Sequence, residues 1–366
     1  MKKSSEERFK FCNLLFGVEL EILLQVPEGA PWKRWGKLVS HLSKALNELT
    51  VPIPTEIVED GDTSEYRSWA ITTDGSIRQD RRTTFGFEMV SPITEHDFPT
   101  EWITEYLNLW RCILHKDYGL KAVSDDSCGT HVHVSPFLNQ SWFDQAEGLK
   151  RIAKAIIYFE RCVDSLVPEH RRNNIFCQSN RYNPRLRSRK ISDILDEIDT
   201  VEDPVALAYL MCSDSATQMT CSRYYKWNFT SFTKAGAQRP RKTTVEFRQP
   251  PGVTDPDTAI AWTQFALAFV VGAMAAMGDD IEGGIDSTKD ASMEALWRLI
   301  DVGATWKLDH GVDRLERLFD GKSILPDGPY SDQASGDFQA LAAKVPKEDF
   351  IGHRMSSAIE DKVNRD

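Results

Sequence analysis

The chain has no excess of basic residues and no paired cysteine motif. Among its 366 residues, 44 are Lys or Arg and 55 are Asp or Glu, which gives a net charge of −11. Proteins that bind the phosphate backbone of nucleic acids normally carry a basic excess, so no nucleic-acid partner is expected. The seven Cys form no Cys-x-x-Cys pair, a pattern typical of reduced, buried thiols in a cytoplasmic protein.

No stretch of the chain is both long and strongly hydrophobic. The segment 259–277 carries no charge over 19 residues, but seven of these are Ala and both flanks are acidic. Membrane spans are usually richer in large apolar residues and have basic anchors, so we expect a buried core helix and no membrane association. Near the N-terminus, Glu19 and Glu21 interrupt a short apolar run, so we expect no signal peptide and a cytoplasmic location.

Two familiar catalytic signatures are missing. The run Gly321-Lys322-Ser323 resembles the end of a P-loop, but that motif requires Gly at position 316, which is Glu. No His-Glu-x-x-His zinc motif occurs, and the chain has only eight His. A P-loop nucleotide enzyme is therefore excluded, and a zinc hydrolase would need a different arrangement of ligands.

Alternating apolar and polar residues predict several strands. The segment 11–25 has apolar residues at every even position from 12 to 24, a period of two. Further strands are predicted at 56–58, 68–73, 84–91, 129–135, 224–232 and 243–249, and helices at 32–49, 99–116, 141–167, 191–198, 204–212 and beyond 255. Because strands and helices do not alternate regularly, an α+β fold built on an antiparallel sheet is expected.

Four of the predicted strands place charged or imidazole groups opposite an apolar face. These groups are Glu19 and Glu21 on the first strand, Glu88 on the strand at 84–91, His131 and His133 on that at 129–135, and Glu246 and Arg248 on that at 243–249. If the strands join one sheet, several carboxylates converge, and their mutual repulsion calls for cations. Oxygen-rich sites with an occasional imidazole suit Mg²⁺ or Mn²⁺, whereas the alternative is a solvated charged face.

Arg248 shares its side of the strand with Glu246, two residues earlier. Beside carboxylates that hold a metal, an Arg is suited to bind phosphate oxygens. The alternative is an Arg that pairs only with the neighbouring Glu.

Several segments, taken in order, resemble the amidoligases, a family of carboxylate–amine ligases grouped with glutamine synthetase and glutamate–cysteine ligase. The segments are FGVELE, TDGSI, FGFEMVSP, CGTHVHVS, RYYKWNFTSF and TVEFRQPPG, and the matching stretch runs from about residue 11 to about residue 277. The resemblance implies a glutamine-synthetase-like α+β fold with a curved, mainly antiparallel sheet backed by helices. It implies a catalytic domain over 1–280 and a helical C-terminal extension over 281–366 that packs on the same domain.

The resemblance also implies roles for individual residues. It gives Glu19, Glu21 and Glu88 as metal ligands, His131 and Glu246 as ligands of a second metal, His133 as a phosphate or substrate contact, and Arg248 as the phosphate-binding Arg. Asp74 and Ser76 match an Asp-x-Ser pattern that positions substrate or cofactor, with a purely structural turn as the alternative. Arg223 and Asn228 lie in a matching segment and are candidates for substrate or nucleotide binding.

The activity that follows is ATP- and Mg²⁺-dependent formation of an amide bond, with Mn²⁺ as a possible substitute. ATP would phosphorylate a small-molecule carboxylic acid to an acyl phosphate, which an amine then attacks. The Arg-rich segment 169–190 is a candidate lid over the site, or else a solvated basic loop. The alternatives are a metal-dependent hydrolase that uses the His-x-His pair and a non-catalytic binding protein on the same fold; the oligomeric state is left open.

Overall fold

The computed structural model describes residues 14–32, 34–58, 66–80, 83–95, 101–136, 146–172, 174–234, 244–275, 285, 290–307 and 312–325. The predicted helix start at 141 and most of the predicted extension after 281 lie outside these residues. Within them the fold is α+β, with helices packed on a single open, mixed sheet.

The described strands join in the order β2-β3-β4-β1-β7-β9-β8, and β5 and β6 also pair with β1. The strands are β1 (Leu14–Gln25), β2 (Thr55–Ile57), β3 (Trp69–Thr72), β4 (Thr84–Val90), β5 (Thr94–Glu95), β6 (Lys121–Val123), β7 (Thr130–Pro136), β8 (Trp227–Asn228) and β9 (Val245–Phe247). The β2–β3 pair is parallel, and the other described pairs are antiparallel. The expected mainly antiparallel sheet is therefore present.

Strand β1 is the central strand of the sheet. It pairs with β4 and β5 along one edge and with β6 and β7 along the other. Its even-numbered residues all belong to the main hydrophobic core, as the period-two pattern predicts. On the opposite face Leu23 belongs to a separate small cluster with Ile77 and Cys128, and Glu19 and Glu21 are also buried. Both faces of β1 are thus covered.

The described helices are α1 (Trp35–Asn47), α2 (Glu101–Ile113), α3 (Ala146–Leu166), α4 (Glu169–Arg172), α5 (Ile191–Thr200), α6 (Pro204–Met211), α7 (Ser231–Lys234), α8 (Pro256–Ala275), α9 (Met293–Lys307) and α10 (Val312–Phe319). The strand predicted over 224–232 is wrong in extent, since only β8 forms. The reason is local: the side-chain oxygen of Asn228 accepts hydrogen bonds from Thr230 N and Oγ1, at 2.8 and 2.7 Å. This turn ends the strand, and α7 follows.

Helix α8 is the apolar segment singled out in the sequence. By length and composition it could span a membrane, but 94% of its most apolar window is buried inside the protein. It packs against α9 at two glycines: a Cβ at Gly272 would collide with the carbonyl of Leu299, and one at Gly303 with that of Ala268. The small residues let the two helices approach closely, and α8 is a core helix as expected.

Candidate active site

Strand register brings the predicted polar residues onto one face of the sheet. Glu21 lies opposite Glu88 across β1 and β4, and Glu19 lies opposite His131 across β1 and β7. His133 lies opposite Glu246 across β7 and β9. Directly opposite residues of antiparallel strands point to the same side, so these groups converge. All six side chains are buried, none being more than 5% exposed.

Together with the half-buried Asp74, these groups form three overlapping sets, and within each set the candidate ligand atoms lie within 4.8 Å of one another. The sets are Glu19–Glu88–His131, Glu19–His133–Glu246 and Glu21–Asp74–Glu88. The first two contain an imidazole, and the third consists of carboxylates alone. We call them the His131 set, the His133 set and the carboxylate set.

Asp74 joins the carboxylate set from the end of β3. Ser76 folds back on it, and both its backbone N–H and its hydroxyl donate to Asp74 Oδ1 at 2.5 Å. This is the structural turn that the Asp-x-Ser pattern left open as an alternative. The turn also brings the Asp74 carboxylate close to Glu21 and Glu88, so Asp74 is a candidate cation ligand as well.

The two imidazoles both approach Glu19. His131 Nδ1 lies 3.1 Å and His133 Nε2 3.0 Å from the oxygens of this carboxylate. Although burial opposes ionisation, the charge of His133 and the hydrogen bonds from both imidazoles hold the pKa of Glu19 well below its usual value. His133 also lies 3.7 Å from Glu246, so the structure groups His133, as well as His131, with the candidate ligands.

Glu246 is held by two donors. Arg248 Nη1 donates to Oε1 at 2.5 Å, and Asn228 Nδ2 donates to Oε2 at 2.7 Å. Burial opposes ionisation, but the Arg248 charge and then that of His133 lower the pKa of Glu246 to about 2. The pairing of Arg248 with a neighbouring Glu, left open in the sequence, is therefore present. Asn228 contacts the same cluster through its hydrogen bond to Glu246, and its predicted role in substrate or nucleotide binding stays a prediction.

Arg223 has a different surrounding. Its guanidinium carbon lies 5.3 Å from the ring centroid of Tyr224, in a cation–π contact, and the side chain is half-buried. This contact assigns no substrate or nucleotide role to Arg223, and its predicted role stays a prediction.

Arg171 is a residue of the site that sequence reasoning did not identify there. Its side chain is 2% exposed, and it donates from Nη2 to the carbonyl of Arg248 at 2.6 Å and from Nε to that of Gln249 at 3.1 Å. The candidate lid segment 169–190 starts with α4, which holds Arg171 against the backbone of Arg248 and Gln249, and a lid function stays a prediction. The only sequence signal was its content of Arg, which does not distinguish a buried Arg from exposed ones.

Gly129 directly precedes β7 and lies against a carboxylate and an imidazole of the site. Its N–H donates to Glu21 Oε2, and a Cβ at this position would lie 2.8 Å from Arg171 Nη2 and 2.9 Å from His131 Nε2. The chain can approach the carboxylates this closely only because residue 129 has no side chain.

A model of the family described as "Putative amidoligase enzyme" matches residues 13–270. The chain belongs to this amidoligase family. Among solved structures, one titled "Crystal structure of novel glutamine synthase homolog" is 14% identical to this amidoligase-family chain, with a TM-score of 0.33; the match covers 98% of this chain and 68% of that one. No curated protein matches it.

The chemistry of the amidoligase site fits divalent cations. With both imidazoles neutral, as cation binding requires, and every acid ionised, five carboxylates and the two guanidiniums of Arg248 and Arg171 leave three negative charges uncompensated. Burial, together with the nearby charge of Asp74, raises the pKa of Glu21 well above its usual value. Without a cation, one acid thus resists ionisation, whereas bound cations would favour the charged form. Oxygen donors with two imidazoles are ligands that Mg²⁺ and Mn²⁺ accept.

A second buried polar network supports the strand ends behind the site. Lys226 Nζ lies 2.5 Å from Asp164 Oδ1 and 3.3 Å from Glu160 Oε1, and Gln249 Nε2 donates to Asp164 at 2.6 Å. The N–H of Arg248 donates to the carbonyl of Lys226 at 2.8 Å. The network therefore ties helix α3 to the backbone that carries Arg248. Sequence reasoning missed it because its members lie far apart along the chain.

Proposed function

We propose that the chain is an ATP-dependent ligase that joins a small-molecule carboxylic acid to an amine and uses two divalent cations, Mg²⁺ or Mn²⁺. The observation that carries the proposal is the convergence of four buried carboxylates, the half-buried Asp74 and two imidazoles in three overlapping sets, beside a buried Arg. Family membership supports ligase chemistry. A glutamine-synthetase-like arrangement of the sheet and the division into 1–280 and 281–366 are parts of the same proposal.

Two of the sets would hold the cations. The His133 set supplies Glu19, His133 and Glu246, and the carboxylate set supplies Glu21, Asp74 and Glu88. His131 lies next to Glu19 and 3.7 Å from Glu21, between the two sets. Two divalent cations would change the net charge of the cluster from negative to slightly positive, which favours the binding of polyphosphate.

The reaction needs an activated acid, because the leaving group of a free carboxylate would be oxide. A carboxylate oxygen attacks the terminal phosphorus of ATP, ADP leaves, and an acyl phosphate forms. The amine nitrogen then attacks the acyl carbon, phosphate departs with the electrons of the C–O bond, and the amine loses a proton. The cations, when bound, neutralise charge on the phosphate oxygens.

The chain's own residues have distinct tasks in this scheme. Arg248 presents guanidinium N–H groups to a phosphate oxygen, and Arg171 fixes its backbone from below. Asn228 orients Glu246 through the hydrogen bond to Oε2. The near-complete burial of these groups keeps water away from an intermediate that water would hydrolyse.

The test titrates ATP into metal-stripped protein by calorimetry, with and without millimolar Mg²⁺. We expect binding that requires Mg²⁺ and is lost in Glu246→Ala. A matched control is Glu294→Ala, which removes an exposed Glu that also pairs with an Arg, Arg298 at 2.5 Å, but belongs to none of the three candidate ligand sets. Wild-type protein that binds no ATP in either condition would contradict the proposal. Binding would justify a screen of acid–amine pairs for release of ADP and phosphate.

A metal-dependent hydrolase is the second candidate, because the His131 and His133 sets each contain an imidazole that could bind Zn²⁺. Metal analysis of the purified protein separates the two. About one tightly held Zn²⁺ per chain would favour the hydrolase, whereas weakly held Mg²⁺ or Mn²⁺ favours the ligase. A non-catalytic binding protein would retain its function when Glu246 is replaced.

A further inference from the structure

The Thr72 hydroxyl at the end of β3 is buried without a hydrogen-bond partner. Its side chain is 2% exposed, and within the part of the chain that the structure describes Oγ1 has no donor or acceptor in reach. Nearly all buried hydroxyls in folded proteins are hydrogen-bonded, and one that is not lowers the stability of the fold. An unpaired buried hydroxyl next to a functional site therefore indicates that its hydrogen-bond partner arrives with a ligand.

The position of Thr72 indicates that this ligand is a cation bound at the carboxylate set. Thr72 lies directly opposite Glu88 across β3 and β4, and Glu88 lies directly opposite Glu21 across β4 and β1. These three side chains form one row on the same face of the sheet, with neighbouring Cβ atoms about 5 Å apart. Asp74, two residues further on, completes the carboxylate set with Glu21 and Glu88. The unpaired hydroxyl therefore borders the set that has oxygen donors alone.

We propose that Thr72 is a positioning residue whose hydroxyl accepts a hydrogen bond from a water molecule carried by the cation at the carboxylate set. The inference rests on the proposed function in requiring a cation there. Mg²⁺ and Mn²⁺ at carboxylate sites retain several waters, and each such water must direct its hydrogens to acceptors. Removing a group that hydrogen-bonds to a ligand of a metal commonly weakens binding of the metal 10- to 100-fold.

The experiment compares Thr72→Val, which replaces the hydroxyl by a methyl of similar volume, with Thr72→Ser, which retains the hydroxyl. The probe is Mn²⁺ alone, titrated into metal-stripped protein by calorimetry, together with the Tm of the metal-free protein. We expect Thr72→Val to bind Mn²⁺ about tenfold more weakly at one site, and its metal-free Tm to be equal to or above that of the wild type. Thr72→Ser should restore the affinity.

Thr263→Val is the matched control. The Thr263 hydroxyl is also fully buried, but it donates to the carbonyl of Ala259 at 2.9 Å within α8. Its loss should lower the Tm without changing Mn²⁺ affinity. This is the opposite pattern from Thr72→Val, so the pair separates a role in ligand binding from a role in folding.

Four outcomes would contradict the role of Thr72. Wild-type affinity in Thr72→Val overturns the inference and leaves the proposed function intact. A lower metal-free Tm in Thr72→Val shows a structural hydroxyl and also overturns it, as does failure of Thr72→Ser to restore binding. Wild-type protein that binds no Mn²⁺ overturns both the inference and the proposed function.

Discussion

At the scale of single residues, Gly129 is packed so closely against the site that a side chain at this position would collide with its neighbours. A Cβ there would press on Arg171 Nη2 and His131 Nε2, at 2.8 and 2.9 Å, and its N–H donates to Glu21. We expect Gly129→Ala to weaken Mn²⁺ binding by about tenfold or more, because these neighbours must shift. Calorimetric titration measures the change. Gly36→Ala is the control, since a Cβ there meets nothing within 4 Å, and it should bind Mn²⁺ as the wild type does.

His133 makes cation binding depend on pH. Burial lowers the pKa of this imidazole, but the charges of Glu246 and Glu19 outweigh burial and raise it above the usual 6.5. A cation needs the neutral imidazole, so a proton competes with it near neutral pH. We expect Mn²⁺ affinity to rise as the pH increases above 6.5, with proton release that calorimetry in buffers of different ionisation enthalpy detects.

The variant His133→Asn should flatten this pH dependence, whereas His115→Asn, at an exposed His, should keep it. The stability of the metal-free protein should change with pH in the opposite direction, falling as the pH rises. A raised folded-state pKa stabilises the fold fully below the unfolded value of 6.5, and this contribution is lost as the pH rises through the folded value. An Mn²⁺ affinity that stays constant above pH 6.5 in the wild type would contradict the assignment of His133 as a ligand.

At the scale of secondary-structure elements, the Lys226 network determines how β8 and β9 meet helix α3. Lys226 is 1% exposed and is the cation that both Glu160 and Asp164 contact. Removing it leaves two buried acids without the positive charge that compensates them, which typically costs about 3–5 kcal/mol. We therefore expect Lys226→Met to lower the free energy of unfolding by that amount, as measured by chemical denaturation at neutral pH.

The deficit should shrink at acidic pH. Burial already raises the pKa of Asp164 above its usual value, and without Lys226 this acid protonates more readily and loses its uncompensated charge. The matched control is Arg298→Met, which breaks an exposed pair with Glu294 and should cost only about 0.3–0.5 kcal/mol. Equal effects of the two substitutions would show that the network does not stabilise the fold.

At the scale of the whole molecule, the contact between α8 and α9 joins the C-terminal helices to the core. A Cβ at Gly303 would collide with the carbonyl of Ala268, so Gly303→Ala should destabilise the protein by about 1–3 kcal/mol through overpacking. Gly36→Ala, in the open part of α1, should instead stabilise it by up to about 1 kcal/mol, because Ala favours helix. Denaturant melts of both variants measure the difference in sign. A stabilising Gly303→Ala would show that the two helices do not pack closely.

Local patterns in the sequence predicted several of the strands, the polar faces of these strands and the core helix. The period-two alternation located β1, β4, β7 and β9, and it placed Glu19, Glu88 and Glu246 on their polar faces. The low-charge segment predicted a core helix, which α8 is. Family membership, implied by the order of short motifs, is confirmed. The ligand roles of individual residues and the ATP-dependent reaction stay predictions.

What the sequence by itself determined is which side of each strand its polar groups occupy, because alternation is a property of neighbouring residues. Which acid meets which imidazole was decided only in the tertiary structure, since register depends on pairing between segments more than a hundred residues apart, as for Glu19 and His131. The same reason applies to burial. Arg171 lies in a segment that looks like a surface loop in the sequence, and Thr72 lies in a strand without a distinctive motif. Both acquire their surroundings only when distant segments of the chain pack together in the folded protein.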